Sequence, residues 1–317
     1  MRCLTDHFPR LCHPEQPSRA SISRLSDIEA RSFTGHVMQS SSVSFKRQSE
    51  GRVGVLLIHG LCGSPSEIRF VANGLTRNGY TVLCPELAGH GGSEEALKAS
   101  TWQDWYESAK AGLETLSETC DTVIVGGLST GAVLSLLLAA RHPDKVSAVA
   151  LYSPTLWLSG RQIPWYVKVL RLIDSKWFAN LFRFPVPLHV GIKDKRIRDF
   201  IASAMSARGE QIGQSSTPGG AVLERRRLAK AVMKEIGRIT QPTLILHARE
   251  DDYAGLDNAV YLQRELTGPV DLVVLNDSYH MVTVDRQRHV VLDRTADFIA
   301  RTVAALTGAR AAQPAAA

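Results

Sequence analysis

The sequence Gly127-Leu-Ser-Thr-Gly131 is a G-x-S-x-G motif between an apolar run, Thr122–Val125, and a segment with helical periodicity, Thr130–Arg141. A serine placed between a strand and a helix must sit on a sharp turn. Small residues on either side avoid clashes there, and the hydroxyl is presented at the tip. The N-terminus of the helix that follows favours negative charge developing at that point. Five residues alone are a weak signal, because a glycine-rich packing turn would read the same way. The flanking elements and the residues downstream give the motif its weight.

The chain around it keeps one rhythm. Val53–Ile58 is a short, nearly continuous apolar run, as a buried parallel strand should be. Ser64-Pro65-Ser66-Glu67 follows and predicts a helix to about Asn78, with Ser64 as N-cap, Pro65 at the first helical position and Glu67 completing a capping box. Gly79 stops that helix. Strands are then expected at Thr81–Cys84, Thr122–Val125, Ser147–Leu151, Thr243–His247 and Leu272–Leu275. Helices are expected from Thr101 to about Thr119, then at Thr130–Arg141, Asp257–Glu265 and Arg286–Ala305. Strands alternating with helices imply an α/β fold with a doubly wound, mostly parallel sheet. Val43-Ser-Phe-Lys46 alternates like a first strand.

Residues 155–240 break the rhythm. They are helical in pattern, contain no run that reads as a strand, and are expected to form a helical cap between two halves of the core, 38–154 and 241–307. Residues 1–37 are polar and irregular and read as a poorly ordered extension. Residues 308–317 are Ala-rich and read as a disordered tail. The cap carries 16 Lys and Arg against 6 Asp and Glu, a net of +10 in a chain whose total is +6. It also holds Trp157, Trp165 and Trp177, and Tyr166, Val169, Ile173 and Trp177 recur at helical spacing. A lid with an aromatic face and a basic face could take an acyl chain and make transient contact with a membrane surface. No apolar run reaches the roughly eighteen residues that a transmembrane segment needs. Five cysteines, at 3, 12, 62, 84 and 120, form no CxxC pair. An odd number of scattered thiols, without a signal-peptide pattern at the start, leads us to expect a reducing, cytoplasmic setting.

A serine hydroxyl needs a base to attack a carbonyl. His280, in Asn276-Asp-Ser-Tyr-His280, follows the last expected strand and precedes the last helix. That is the carboxyl edge of the sheet, where the active sites of open α/β folds lie. The base needs an orienting carboxylate, and Glu250, Asp251 and Asp252 all follow the strand Thr243–His247. An oxyanion also needs donors. The backbone N–H of Leu61, in His59-Gly-Leu-Cys-Gly63, and that of Thr130 beside the nucleophile can supply them. His59 and His90 read as loop-shaping residues, and His247 as a packed neutral imidazole.

His59-Gly-Leu-Cys-Gly-Ser64, Pro85-Glu-Leu-Ala-Gly-His-Gly91, Gly127-Leu-Ser-Thr-Gly131, Ala248-Arg-Glu-Asp251 and Ser278-Tyr-His280 occur in this order. Together they resemble the bacterial carboxylesterase and monoacylglycerol lipase branch of the α/β-hydrolases, which includes serine-aminopeptidase-like members. The resemblance covers about Val43 to Ala305, with the cap poorly matched. It implies a serine hydrolase of carboxylic esters that needs no cofactor. It also implies the triad Ser129, His280 and Asp251, since the family's acid ends a segment shaped like Ala248–Asp251. Thr130 departs from the Met or Gln that the family often has there, which puts the shape of the nearby pocket in doubt. A thioesterase, amidase, peptidase or perhydrolase would use the same triad. A non-catalytic binding protein on the same fold would be expected to have lost part of it. No His-Glu-x-x-His or clustered His/Cys set points to a metal. Lys193–Arg198 is basic, but no nucleic-acid motif accompanies it.

Overall fold

Four continuous apolar runs, at 53–58, 122–128, 148–152 and 243–248, can be buried only if both faces of a sheet are covered. In the computed structural model they lie at its centre. The described residues are 44–49, 52–161, 163, 173–185, 191–208 and 216–312. The expected extension 1–37 and residues 313–317 lie outside them.

The strands, in chain order, are β1 (Phe45–Arg47), β2 (Val53–Ile58), β3 (Thr81–Cys84), β4 (Thr122–Leu128), β5 (Ala148–Tyr152), β6 (Arg183–Pro185), β7 (Ser216–Pro218), β8 (Thr243–Ala248) and β9 (Val270–Leu275). Seven of them form one sheet in the order β1-β3-β2-β4-β5-β8-β9. Only β1 runs antiparallel to its neighbour; every other pairing in that sheet is parallel. The helices are α1 (Arg69–Arg77), α2 (Glu94–Ala99), α3 (Trp102–Ser117), α4 (Thr130–Arg141), α5 (Lys176–Ala179), α6 (Lys195–Arg208), α7 (Gly219–Glu235), α8 (Asp257–Glu265) and α9 (Arg288–Ala312). One face of the sheet is covered by α3, α4, α7 and α8, through Trp105, Leu113, Leu137, Leu228 and Leu262. The other is covered by α1 and α9, through Val71, Leu75, Val291 and Phe298. This is the doubly wound arrangement that the alternation predicts.

Register places the site. Ile58 pairs with Gly127, so the loop after β2 and the turn after β4 leave the sheet side by side. Ala248 pairs with Leu275, so the segments after β8 and β9 also emerge together. Residues far apart in sequence thus converge on one carboxyl edge.

Four local expectations differ from the structure. Thr101 and Asp104 do form the capping box that opens α3, but Ser64 makes no side-chain cap, and Pro65–Ile68 is a 3-10 turn before α1. The Glu67 carboxylate is instead engaged by the Gly60 N–H, 3.0 Å away. The segment between β5 and β8 contains α5, α6 and α7 as expected, but also an antiparallel pair, β6 with β7. Three-residue strands that end in proline are too short to show a period. The helical spacing through Ile173 and Trp177 does not make one helix, because Ile173–Ser175 is non-helical and Ser175 caps α5 anew; Tyr166 and Val169 lie outside the described residues. Finally, α9 runs on to Ala312, into the expected tail, because alanine is the strongest helix former and propagates a helix already packed at its start.

Candidate active site

Ser129 sits at the N-cap position of α4 with φ 56° and ψ −111°. A non-glycine residue in that conformation is strained and persists only where its surroundings hold it. The neighbours show how. A β-carbon on Gly131 would lie 2.1 Å from the Ile58 carbonyl oxygen, and one on Gly127 would lie 2.5 Å from it. Both positions must be glycine for β4 and α4 to approach β2 this closely. Every residue of α4 from Thr130 to Ala140 is buried, so the turn is clamped from behind as well.

The Ser129 hydroxyl has two side-chain neighbours. His280 Nε2 is 3.0 Å from its Oγ, and Thr155 Oγ1 is 3.1 Å away. His280 Nδ1 lies 2.8 Å from Asp251 Oδ2. That contact places the proton on Nδ1 and leaves Nε2 to accept from the serine. The other Asp251 oxygen accepts the Tyr253 N–H at 2.9 Å and the Ala254 N–H at 2.8 Å. Burial pushes the Asp251 carboxyl up, but the charge and hydrogen bond of His280, with lesser help from His247 and the Ala254 N–H, hold it below the usual aspartate value. Burial pulls His280 down, and Asp251, with Asp252 and Glu67, outweighs it and raises the imidazole above its ordinary value.

Glu250, Asp251 and Asp252 are now distinguishable. Asp252 Oδ2 accepts the Gly191 N–H at 3.0 Å and makes no hydrogen bond to His280. Glu250 pairs with Lys193 at the surface. Of these three acids, only Asp251 makes a hydrogen bond to the imidazole.

The loop after β2 passes close beside the serine. A β-carbon on Gly60 would stand 3.6 Å from Ser129 Cβ, and Leu61 comes next. Thr130, as the first residue of α4, has an N–H that no earlier helical carbonyl can take. His59 is buried and shapes this loop. Its Nδ1–H donates to the Gly60 carbonyl at 2.8 Å, and its Nε2 accepts the Leu87 N–H at 3.1 Å. Burial drives it down to about 3 and His90 to about 4, so both stay neutral. His247 is also buried and shifted down, and holds the Ala254 carbonyl at 2.8 Å. All three histidines behave as expected.

Several neighbours carry no signal that one sequence could show. The Tyr253 ring packs against His280 with centroids 5.0 Å apart. Asp285, fully buried, accepts the Lys193 N–H at 2.9 Å and the Tyr279 N–H at 2.7 Å, which fixes the His280 loop to the segment after Gly191. Thr155 also accepts, through its carbonyl, the Arg225 guanidinium from α7 at 3.1 Å. Apart from the Tyr279 N–H, six residues from Asp285, each of these contacts spans a long stretch of chain, so spacing alone could not reveal it.

A doubly wound sheet with a strained serine turn, and with a histidine and a buried aspartate at its carboxyl edge, defines an α/β-hydrolase-type protein. The family profile described as serine aminopeptidase, S33, matches residues 49–287, and the chain belongs to that family. It is 29% identical over 259 residues to a thermostable monoacylglycerol lipase of Bacillus sp. (strain H-257), covering 79% of this chain and 92% of that protein. It is 26% identical over 251 residues to a carboxylesterase of Bacillus subtilis (strain 168), covering 78% and 93%. Among solved structures it is similar to a chain described with LipS and LipT, two metagenome-derived lipolytic enzymes. The TM-score is 0.69 and the identity 26%, over 82% of this chain and 98% of that one. A soluble variant of the monoglyceride lipase of Saccharomyces cerevisiae shares the fold, with a TM-score of 0.68 at 15% identity over 82% of this chain and 91% of that one.

Proposed function

We propose that the protein is a serine hydrolase that cleaves carboxylic esters through an acyl-enzyme on Ser129. The observation that carries this reading is the pair of contacts that His280 makes, 3.0 Å to the Ser129 hydroxyl and 2.8 Å to Asp251. His280 Nε2 takes the Ser129 proton as Oγ bonds to the substrate carbonyl carbon. The carbonyl electron pair moves to oxygen, and the N–H groups of Leu61 and Thr130 stabilise the resulting oxyanion. As the carbon–oxygen bond of the ester breaks, the imidazolium returns its proton to the leaving alcohol. Water then repeats the attack with His280 as base and releases the acid. Asp251 holds the imidazole in the required tautomer and stabilises the cation that forms. The lipase and esterase names of the relatives favour an ester substrate with an acyl chain over a thioester or amide. Turnover of p-nitrophenyl esters from acetate to palmitate tests this; hydrolysis of an aminoacyl p-nitroanilide in preference to every ester would move the reading to a peptidase.

The imidazole must be neutral to act as base. Because Asp251 raises it, activity should be full above its shifted value and fall as pH drops through it. The acid limb of kcat/KM for p-nitrophenyl butyrate is therefore expected above the ordinary imidazole value of 6.5. A midpoint below 6.5 would contradict the Asp251–His280 coupling.

We further infer that the segment between β5 and β8 is a lid that can meet an anionic or lipid surface. Trp177 is 75% exposed, Leu181 61%, Phe178 43% and Phe182 41%, a run of apolar groups on and after α5 with Arg183 beside them. Among the described residues no helix is long and apolar enough to cross a membrane, so such contact would lie at the surface. The three described cysteines are free, in keeping with a cytoplasmic setting. Steering by the basic segment weakens as the Debye length falls from about 30 Å at 0.01 M salt to about 8 Å at 0.15 M. kcat/KM for p-nitrophenyl hemisuccinate is expected to fall across that range while that for p-nitrophenyl butyrate barely changes. Parallel responses of the two esters would leave the segment as a plain hydrophobic lid.

A further inference from the structure

The Glu67 carboxylate, released from the helix cap, lies beneath the loop that carries Leu61. Its Oε2 accepts the Gly60 N–H at 3.0 Å. A β-carbon on Gly63 would stand 2.2 Å and 2.3 Å from its two oxygens, and one on Gly60 would meet Oε2 at 3.4 Å and Ser129 Cβ at 3.6 Å. The Gly63 N–H closes the turn on the Gly60 carbonyl at 3.2 Å. The carboxylate therefore fills the hollow of the Gly60–Gly63 turn and faces the nucleophile across the Gly60 backbone. The carbonyl of Glu67 accepts the Thr283 hydroxyl at 2.7 Å, three residues beyond His280. One residue thus ties the loop after β2 to the histidine loop.

Enclosing a carboxylate here is unfavourable. Burial pushes it up to about 7, although part of the residue remains accessible. An apolar side chain could fill the volume without that cost. What it could not supply is an acceptor for the Gly60 N–H, whose direction sets the peptide that follows. We propose that Glu67 is a positioning residue for ester hydrolysis, holding the Gly60 N–H inward so that the adjacent Leu61 N–H faces the oxyanion. This rests on the reading of Ser129 and Leu61 given above. Two titratable groups face the carboxylate, His280 from the loop after β9 and the Cys62 thiol from its own loop. Asp251, Asp252, His247 and the Tyr253 phenol are the other titratable groups that face His280.

The test compares the full chain with Glu67→Ala and Glu67→Gln on p-nitrophenyl butyrate across pH. Glu67→Ala should lower kcat by roughly 30-fold, less than the 10²–10³ seen when an oxyanion donor is removed outright, with KM changed by less than about threefold. Glu67→Gln keeps an acceptor and should recover kcat to within about fivefold of the parent. A carboxyl that titrates at about 7 is only partly charged where His280 titrates, so the acid limb of Glu67→Gln should shift little. Equal loss in both variants, or Ala kcat within about threefold of the parent, would overturn the proposal. If Glu67→Ala does not fold, as melting would show, Glu67→Leu, which fills the volume without an acceptor, replaces it, and a kcat equal to that of Glu67→Gln would overturn the proposal. Failure of the esterase reading looks different: the parent itself would then not turn over the ester.

Discussion

Replacing Ser129 with Ala is expected to lower kcat for p-nitrophenyl butyrate by at least about 10³-fold while leaving the fold intact. The size follows from what is lost. Alanine keeps the Cβ that the tight turn already accommodates at φ 56° and removes only Oγ, so no clash is created. The missing atom is the one that bonds to the substrate carbon, and no neighbour can replace it. Thr155 Oγ1 lies 3.1 Å from that oxygen, but it donates to the Ser153 carbonyl at 3.1 Å and makes no hydrogen bond to His280, so no base is available to activate it. Residual turnover should come from binding and the oxyanion donors alone. A variant that retains a tenth or more of the parent kcat would remove Ser129 from its role.

Asp251→Asn is expected to cost about 10⁴-fold in kcat, whereas Asp252→Asn should stay within roughly tenfold. In the first variant the amide would donate to Nδ1 and drive the imidazole proton to Nε2, leaving no acceptor for the serine. The Tyr253 and Ala254 N–H groups that hold the other carboxylate oxygen would still find a carbonyl oxygen, so the loop should survive. In the second variant the amide oxygen can keep the Gly191 N–H, now 3.0 Å from Asp252, and only a charge facing His280 disappears. Steady-state kinetics of the two variants at one pH on the basic side of the limb compares them cleanly. The reverse ranking would transfer the acid's role to Asp252.

How much of this was legible in the sequence follows from the range of each interaction. β2, β4 and β8 show as short apolar runs because both faces of each strand are covered. α4 shows because a Gly-rich turn precedes a long apolar helix. Ser129 and His280 follow from motif and loop position, since topology brings the carboxyl ends of β4 and β9 to one edge. Pattern alone left three adjacent acids open after β8, and only the resemblance favoured Asp251; which carboxylate reaches the imidazole depends on how the turn at 251–254 is wound. Glu67 was misplaced for the same reason. A capping box and a buried acceptor for Gly60 share one spacing, and a contact seven residues away decides between them. Thr155, Tyr253 and Asp285 act through long-range contacts that leave no local trace, and β6 and β7 are too short to carry a period.

The central claim is that ester cleavage passes through a covalent bond to Ser129. The most direct measurement mixes the protein with excess p-nitrophenyl ester, follows the first turnover, then quenches and locates the acyl group by peptide mass spectrometry. The account predicts a burst of p-nitrophenol approaching one equivalent per active site whenever deacylation is the slower step, and an acyl mass on the peptide that contains Ser129. A fluorophosphonate should label the same residue and fail to label Ser129→Ala. Acyl or phosphonyl mass on a different residue, or undiminished labelling of Ser129→Ala, would contradict it.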